Sequence, residues 1–231
     1  MSQTVIRIVD LWKDYGSDGS TIPALRGTNL EIRAGESVAL FGKSGSGKST
    51  LFNLIAGLDR PSKGRIEVEG QDLEGLGETG RTSLRRHRLG FIFQFFNLLP
   101  TLTAFENVFL SLELVDKPHP DVAFGALKDV GLQGKEQRYP HELSGGEQQR
   151  VTITRTIVKE PSIILTDEPT KNLDTTTGNQ ILDLLTRRCR ESSTTLIMAT
   201  HTLLTCRYAS RILRMIDGLV VEEDSCEESS L

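Results

Sequence analysis

The sequence predicts an α/β protein with a helical insertion at about residues 95–150. Two observations predict this class. Short apolar segments alternate with helical segments, and the proposed insertion itself carries two helix-capping signals. We expect residues 1–221 to form one domain with a sizeable core, since 37% of the 231 residues are hydrophobic. The acidic, serine-rich residues 222–231 are expected to be disordered.

Strands are predicted where short apolar or alternating segments are bounded by turn residues. Asp217 and Gly218 separate two such segments and predict a hairpin. The predicted strands cover residues 5–9, 29–33, 37–41, 65–69, 89–93, 163–165, 194–199, 211–216 and 219–221.

Helices are predicted from their start and stop signals. Thr103 with Glu106 forms one capping box, and Ser144 with Glu147 forms another, each ahead of a series of apolar residues. Further helices are predicted over residues 50–56, 121–130 (ending before Gly131) and 175–190.

A glycine-rich segment lies between the predicted strand 37–41 and the predicted helix 50–56. It matches the P-loop pattern, in which backbone N–H groups and a helix N-terminus surround phosphates. Lys48 is expected to reach the β- and γ-phosphates, and Ser49 to ligate Mg²⁺. The alternative is a glycine-rich turn that binds nothing, and the order of strand, loop and helix argues against it. With the residue after it, the segment comprises Gly42, Lys43, Ser44, Gly45, Ser46, Gly47, Lys48, Ser49 and Thr50.

Two carboxylates follow the predicted strand 163–165. Asp167 is expected near the magnesium ion, and Glu168 near the γ-phosphate, where it can act as a general base towards water. A solvated acidic turn is the alternative. It is less plausible for a carboxylate pair followed by Pro169 and Thr170 in a chain that already has a P-loop.

Residues 143–150, Leu-Ser-Gly-Gly-Glu-Gln-Gln-Arg, indicate which class of P-loop protein this is. They resemble the signature motif of ATP-binding cassette (ABC) proteins. Ser144 caps a helix whose free N–H groups, with Gly145 and Gly146, offer a second anion site, and Glu147 is counted with this nucleotide-binding set. The resemblance implies that this site binds the γ-phosphate held by a partner's P-loop, in a head-to-tail homodimer with two ATP molecules.

Other motifs of the family follow in order from Tyr15 to His201. Tyr15, in a turn near Gly16, resembles the aromatic that stacks on adenine, although an ordinary surface tyrosine is the alternative. Gln94 resembles the glutamine that contacts Mg²⁺ and the attacking water. Asp174 ends a segment that resembles the D-loop, and His201 resembles the switch histidine at the γ-phosphate. The resemblance implies a P-loop NTPase (RecA-like) core with an antiparallel β subdomain and an inserted α-helical subdomain.

Several positions depart from the family pattern. Lys171 stands where glycine is common, and Thr202 where aspartate is common. Lys171 adds positive charge near the D-loop, so we expect altered kinetics or coupling. Three threonines replace alanines after the signature, and we interpret them as packing changes on one helix: Thr152, Thr154 and Thr156.

Residues 90–104 with 106–108 resemble the branch that powers lipoprotein release, macrolide export and cell-division complexes (the LolD, MacB and FtsE group). The resemblance implies that the chain powers a separate integral membrane permease, FtsX- or MacB-like. The permease would act in export, lipoprotein release or mechanotransmission. An apolar stretch past Gln94 is expected to dock that permease, or to pack the insertion: Phe95, Phe96, Leu98, Leu99 and Pro100.

Charge and hydropathy limit the other classes. A net charge of -4 disfavours a nucleic-acid partner, and no apolar run approaches the ~18 residues of a membrane span. We expect a peripheral protein on the cytoplasmic side of the inner membrane. The alternatives are an ATP-dependent regulatory scaffold of a membrane complex and, ranked lower, a non-transport ABC ATPase. The latter usually carries coiled coils, zinc-ligand cysteines or tandem cassettes.

Overall fold

The computed structural model describes residues 3–16 and 21–223. Residues 86–194 form one compact unit, the middle unit. The described residues before 86 and after 194 form another, the terminal unit. The strands are β1 (Thr4–Tyr15), β2 (Ile22–Arg33), β3 (Ser37–Phe41), β4 (Lys63–Val68), β5 (Gln71–Asp72), β6 (Leu89–Ile92), β7 (Ile163–Asp167), β8 (Thr195–Thr200), β9 (Arg211–Ile216) and β10 (Leu219–Glu223). The helices are α1 (Lys48–Ile55), α2 (Glu78–His87), α3 (Ala104–Glu113), α4 (Pro120–Asp129), α5 (Gly145–Ile157), α6 (Thr175–Glu191) and α7 (Leu203–Cys206), with a 3₁₀ turn at Pro140–Glu142.

The terminal unit contains an antiparallel sheet in the order β2-β1-β4-β5. β1 pairs with β2 as far as Tyr15, which lies opposite Ile22, and with β4 on its other edge. The alternation of apolar and polar residues follows from this arrangement, because one face of the sheet is buried. Its core side chains include Ile6, Ile8, Leu11, Ile32 and Ile66.

Four further strands of the terminal unit run in the order β10-β9-β3-β8. β3 is parallel to both β8 and β9, so its apolar run is buried on both sides. The carboxyl ends of β3 and β8 therefore lie at the same edge. β9 and β10 form the predicted hairpin, in which Asp217 and Gly218 have φ values of 47° and 82°, as a type I′ turn requires.

The middle unit contains the parallel pair β6 and β7 and the helices α3 to α6. Helices α3 to α5 lie within residues 104–157, close to the expected insertion. Both predicted capping boxes are present at the starts of α3 and α5. Among the described residues, no helix is long and apolar enough to cross a membrane.

Some predicted boundaries were wrong. β10 continues two residues beyond the predicted strand end at Val221, because Glu222 pairs with Leu213 and its carboxylate contacts Arg211 at 2.9 Å. The rest of the tail predicted to be disordered, from residue 224, lies outside the described residues. Helix α2 was missed, because only Arg81 and Leu84 of its residues are buried and no apolar periodicity marks it.

Candidate functional site

The P-loop lies where the sequence predicts it, between β3 and α1. Lys48 is almost fully buried, and its ammonium donates to the carbonyl oxygens of Gly42 at 2.6 Å and Lys43 at 2.9 Å. The loop is therefore curled around its own lysine. This arrangement places a positive charge at the centre of the predicted phosphate cradle.

Two other P-loop residues fit a phosphate ligand. Gly47 has φ 108°, and a Cβ there would lie 2.6 Å from the Ala24 carbonyl oxygen, so only glycine is accommodated. The Ser46 hydroxyl is buried and makes no hydrogen bond within the part of the chain that is described. The first turn of α1 carries no acidic residue, so the positive end of the helix dipole is not neutralised locally.

We expected Tyr15 in a turn, but it is the last residue of strand β1. The residue is 42% exposed. Its hydroxyl donates to the Asp59 carboxylate at 2.9 Å and also interacts with the Thr50 side chain, which belongs to the first turn of α1. An aromatic surface therefore lies next to the start of the phosphate-binding helix.

His201 follows β8 and is exposed at the edge where the P-loop begins. The link is direct, since the Gly42 N–H donates to the Thr200 carbonyl oxygen at 3.1 Å. Thr202 occupies the position where aspartate is common. Its hydroxyl lies 3.1 Å from that of Thr200 and 3.2 Å from that of Thr205, so a polar network persists beside His201.

In the middle unit, the predicted carboxylates lie at the end of β7. Asp167 is the last strand residue, and Glu168 follows it with φ 50°. A left-handed conformation is unusual for a non-glycine residue, and such backbone strain is concentrated at functional sites. The residue after Glu168 is held by the signature helix. The buried Gln149 side chain of α5 donates to the Pro169 carbonyl oxygen at 2.8 Å.

Gln94 lies two residues beyond β6, which ends at Ile92 rather than at residue 93. Because β6 and β7 are parallel, Gln94 and Glu168 follow the same edge of the strand pair. The loop after β7 contacts Gln94 twice. Asn172 donates to its backbone carbonyl oxygen at 3.0 Å, and the Lys171 ammonium lies 3.4 Å from its side-chain oxygen.

The signature residues open helix α5. The Ser144 hydroxyl accepts from the Glu147 N–H, and the Glu147 carboxylate accepts from the Ser144 N–H at 2.9 Å. Lys135 also contacts the Glu147 carboxylate and lowers its pKa. Glu147 thus shapes the helix start through its own contacts, while Gly145 and Gly146 supply the remaining N–H groups of the first turn.

The D-loop residue Asp174 caps helix α6. Its carboxylate accepts from the Thr177 N–H at 3.0 Å and the Thr177 hydroxyl at 2.6 Å, and these bonds lower its pKa. A Cβ at Gly146 would lie 2.7 Å from the Thr177 methyl carbon. The signature therefore needs a glycine at this position, because helix α6 begins directly against it.

The threonines of α5 do more than the predicted change of packing. Thr152 and Thr156 are buried, and their hydroxyls donate to the carbonyl oxygens of Phe96 at 3.1 Å and Phe91 at 3.0 Å. Arg155, which we did not predict, also donates to the Phe96 carbonyl oxygen, at 3.1 Å. The only sequence signal for these contacts was the set of departures from alanine.

Each unit thus assembles its own group of predicted residues. The terminal unit brings together Tyr15, the P-loop and His201. The middle unit brings together Gln94, the end of β7, the signature and Asp174.

Comparison with known proteins gives the family. Residues 25–171 match the family described as ABC transporter. The lipoprotein-releasing system ATP-binding protein LolD of Geobacter metallireducens is 42% identical, over 95% of this chain and 99% of that protein. The uncharacterized ABC transporter ATP-binding protein YbbA of Escherichia coli is 41% identical, over 96% and 99%.

A solved structure gives the same answer. The dimeric post-hydrolysis state of the ATP-binding cassette MJ0796, bound to ADP and Pi, has a TM-score of 0.86 and 37% identity, over 96% of this chain and 99% of that one. The predicted α/β fold with an antiparallel sheet and helices is thereby confirmed. Its P-loop, its signature helix and these likenesses together place the chain in the ABC transporter family, as a nucleotide-binding ATPase of the LolD type.

Proposed function

We propose that this chain is the ATP-hydrolysing subunit of an ABC transporter, a homodimer that powers a separate membrane permease in export, lipoprotein release or mechanotransmission. The observation that carries the proposal is the presence of two anion-binding helix starts in one chain. One is the P-loop at α1, and the other is the exposed Ser144 at α5.

The dimer follows from the second of these helix starts. Ser144 is exposed, and we propose that the N–H groups of Gly145 and Gly146 in the first turn of α5 bind a phosphate from another molecule. The related cassette MJ0796 is dimeric when it holds ADP and Pi. We therefore propose that the signature of one copy binds the γ-phosphate of ATP held by the P-loop of the other, so that two nucleotides lie between head-to-tail subunits.

The proposed chemistry is attack of water on the γ-phosphorus. The water oxygen forms the new bond to phosphorus, its proton passes to the Glu168 carboxylate, and the bond from phosphorus to the β–γ bridging oxygen breaks, leaving ADP and phosphate. Lys48 offsets the charge that develops on the phosphoryl oxygens, and His201 holds the γ-phosphate. Gln94 orients the water, and Tyr15 supports the adenine ring.

The residues proposed to hold Mg²⁺ carry the oxygen donors that this ion prefers: the Ser49 hydroxyl, the Gln94 amide and the Asp167 carboxylate. The described ranges contain no cluster of three or more His, Cys, Asp and Glu suited to a metal. A hydroxyl, an amide and a single carboxylate fit an Mg²⁺ ion whose other ligands are phosphate and water oxygens. Bound there, Mg²⁺ would offset phosphate charge.

The proposed permease contact is the segment after Gln94. Phe95 is 68% exposed and Leu99 is 43% exposed, which is unusual for large apolar side chains next to a nucleotide-sensing residue. We propose that an FtsX- or MacB-like permease docks here. The chain would then be peripheral, on the cytoplasmic side of the inner membrane, with no nucleic-acid partner.

The Glu168→Gln variant tests the proposal. ATP turnover is expected to fall by at least about 100-fold, the scale of general-base catalysis, while ATP binding persists. Glu160→Gln is the control, since Glu160 is also a glutamate with positive φ in the same unit. Unchanged turnover in Glu168→Gln would overturn the catalytic assignment.

A further inference from the structure

The Tyr15 ring is held by a charged pair that the proposed mechanism does not use. Its hydroxyl donates to one oxygen of the Asp59 carboxylate at 2.9 Å, and the Lys13 ammonium binds the other at 2.7 Å. The same ammonium donates to the Arg60 carbonyl oxygen at 2.9 Å and lies 4.8 Å from the centre of the Tyr15 ring. Lys13 therefore contacts both the carboxylate that anchors the phenol and the ring itself.

This pair is buried more deeply than the ring it holds. The Lys13 side chain is 12% exposed and that of Asp59 is 30% exposed, whereas Tyr15 is 42% exposed. An ammonium over one ring face is attracted by the π system and blocks that face to any other group. A ligand that stacks on this ring would therefore use the face opposite Lys13.

The ring is also fixed relative to the phosphate cradle. The Tyr15 hydroxyl also interacts with the Thr50 side chain, in the first turn of α1 immediately after Ser49. With Asp59 and Thr50 both at the hydroxyl and Lys13 over one face, the ring has little freedom to rotate. Such preorganisation raises affinity, because less side-chain entropy is lost when a ligand binds.

We propose that Lys13 and Asp59 are positioning residues for adenine, which hold the Tyr15 ring so that a purine stacks on the face opposite Lys13. The proposal rests on the proposed role of Tyr15 in nucleotide binding. It predicts that the pair contributes to recognition of the base and not to binding of the phosphates.

A second cluster on the same sheet supplies a matched control. Lys63 pairs with the Asp10 carboxylate at 2.8 Å and lies 5.8 Å from the Trp12 ring centre, and the Trp12 indole donates to Asp10 at 2.8 Å. The chemistry is the same as that of the Lys13 cluster. In the described part of the chain, no side-chain hydrogen bond or ion pair joins Lys63 or Asp10 to Tyr15 or the P-loop.

The test compares two probes by titration calorimetry on the full chain: ADP, which has the base, and pyrophosphate, which does not. Lys13→Met is expected to weaken ADP binding by about 3- to 10-fold, the range of a cation–π contact plus lost ordering, and to leave pyrophosphate binding unchanged. Lys13→Arg should retain most of the affinity for ADP, and Lys63→Met should retain all of it. Unchanged pyrophosphate binding also shows that each variant is folded.

Tyr15→Ala distinguishes failure of this inference from failure of the proposed stacking of adenine on Tyr15. If Tyr15→Ala weakens ADP binding and Lys13→Met does not, the positioning role is wrong and the stacking role stands. If Tyr15→Ala leaves ADP binding unchanged, the stacking role is wrong and the positioning role falls with it. Equal losses for ADP and pyrophosphate in Lys13→Met would also overturn the inference, because they would indicate a general structural effect.

Discussion

The Thr152 hydroxyl of the signature helix donates to the carbonyl oxygen of Phe96, two residues beyond Gln94, at 3.1 Å. Arg155 of the same helix donates to that oxygen and, at 2.7 Å, to the Asn97 carbonyl oxygen. The helix that carries the signature is therefore hydrogen-bonded to the segment proposed to sense nucleotide and to dock the permease.

Thr152→Val should destabilise the protein by about 1 kcal/mol more than Thr154→Val. Both threonines are fully buried on α5 and both donate to the carbonyl four residues earlier, but only Thr152 also reaches Phe96. Urea unfolding would measure the difference, and faster amide exchange in residues 95–98 of Thr152→Val would locate it. Equal stabilities for the two variants would show that the contact with Phe96 contributes nothing.

Lys171→Gly should lower the Mg²⁺ concentration that gives half-maximal ATPase activity, by about 2- to 3-fold. The reason is that the Lys171 ammonium lies 3.4 Å from the Gln94 side-chain oxygen, the atom proposed to contact the ion. Lys171→Arg keeps the charge and is the control. A higher Mg²⁺ requirement in Lys171→Gly would indicate instead that Lys171 orients Gln94 for the ion.

Lys159 should make the free energy of unfolding increase with pH in mildly alkaline solution. Burial lowers its pKa from 10.5 to about 8, although its ammonium donates to the carbonyl oxygens of Arg86 and Leu89. Between these two pKa values the unfolded chain binds a proton that the folded chain has released, so the free energy of unfolding increases from about pH 8 to pH 10.5.

Comparison with Lys159→Met isolates that contribution from other titrating groups. The difference in unfolding free energy between wild type and Lys159→Met should increase in favour of wild type as the pH rises from 8 towards 10. A difference that is constant across this range would contradict the lowered pKa.

Cys189 should resist thiol reagents in the folded protein. Burial raises the pKa of its thiol to about 12, and only the thiolate reacts. A variant in which Cys206 and Cys226 are replaced by serine leaves Cys189 as the single cysteine. A colorimetric disulfide reagent at pH 8 should label it only after denaturant is added, and rapid labelling without denaturant would contradict the burial.

Local signals made part of this structure predictable. The Thr103–Glu106 and Ser144–Glu147 capping boxes appear as expected, because each is a pair of reciprocal bonds within four residues. The Asp217–Gly218 turn is equally local. The P-loop lysine also lies where its motif places it, since the loop surrounds it.

Contacts between residues distant in sequence were not predictable. Lys13 and Asp59 are 46 positions apart, and nothing in either segment indicates the other. Helix α2 escaped notice because its buried residues include Arg81, a charged residue that apolar patterns do not mark. The bonds from Thr152 and Arg155 to the segment after Gln94 depend in the same way on tertiary packing.

The central claim, a head-to-tail ATPase dimer, is tested most directly by the mass of Glu168→Gln in solution with ATP, measured by analytical ultracentrifugation. We expect a species of twice the 25.6 kDa chain mass that retains ATP, and its conversion to monomer when Ser144→Arg is added to block the signature. A Glu168→Gln protein that binds ATP and remains monomeric, or a dimer that is unaffected by Ser144→Arg, would contradict the account.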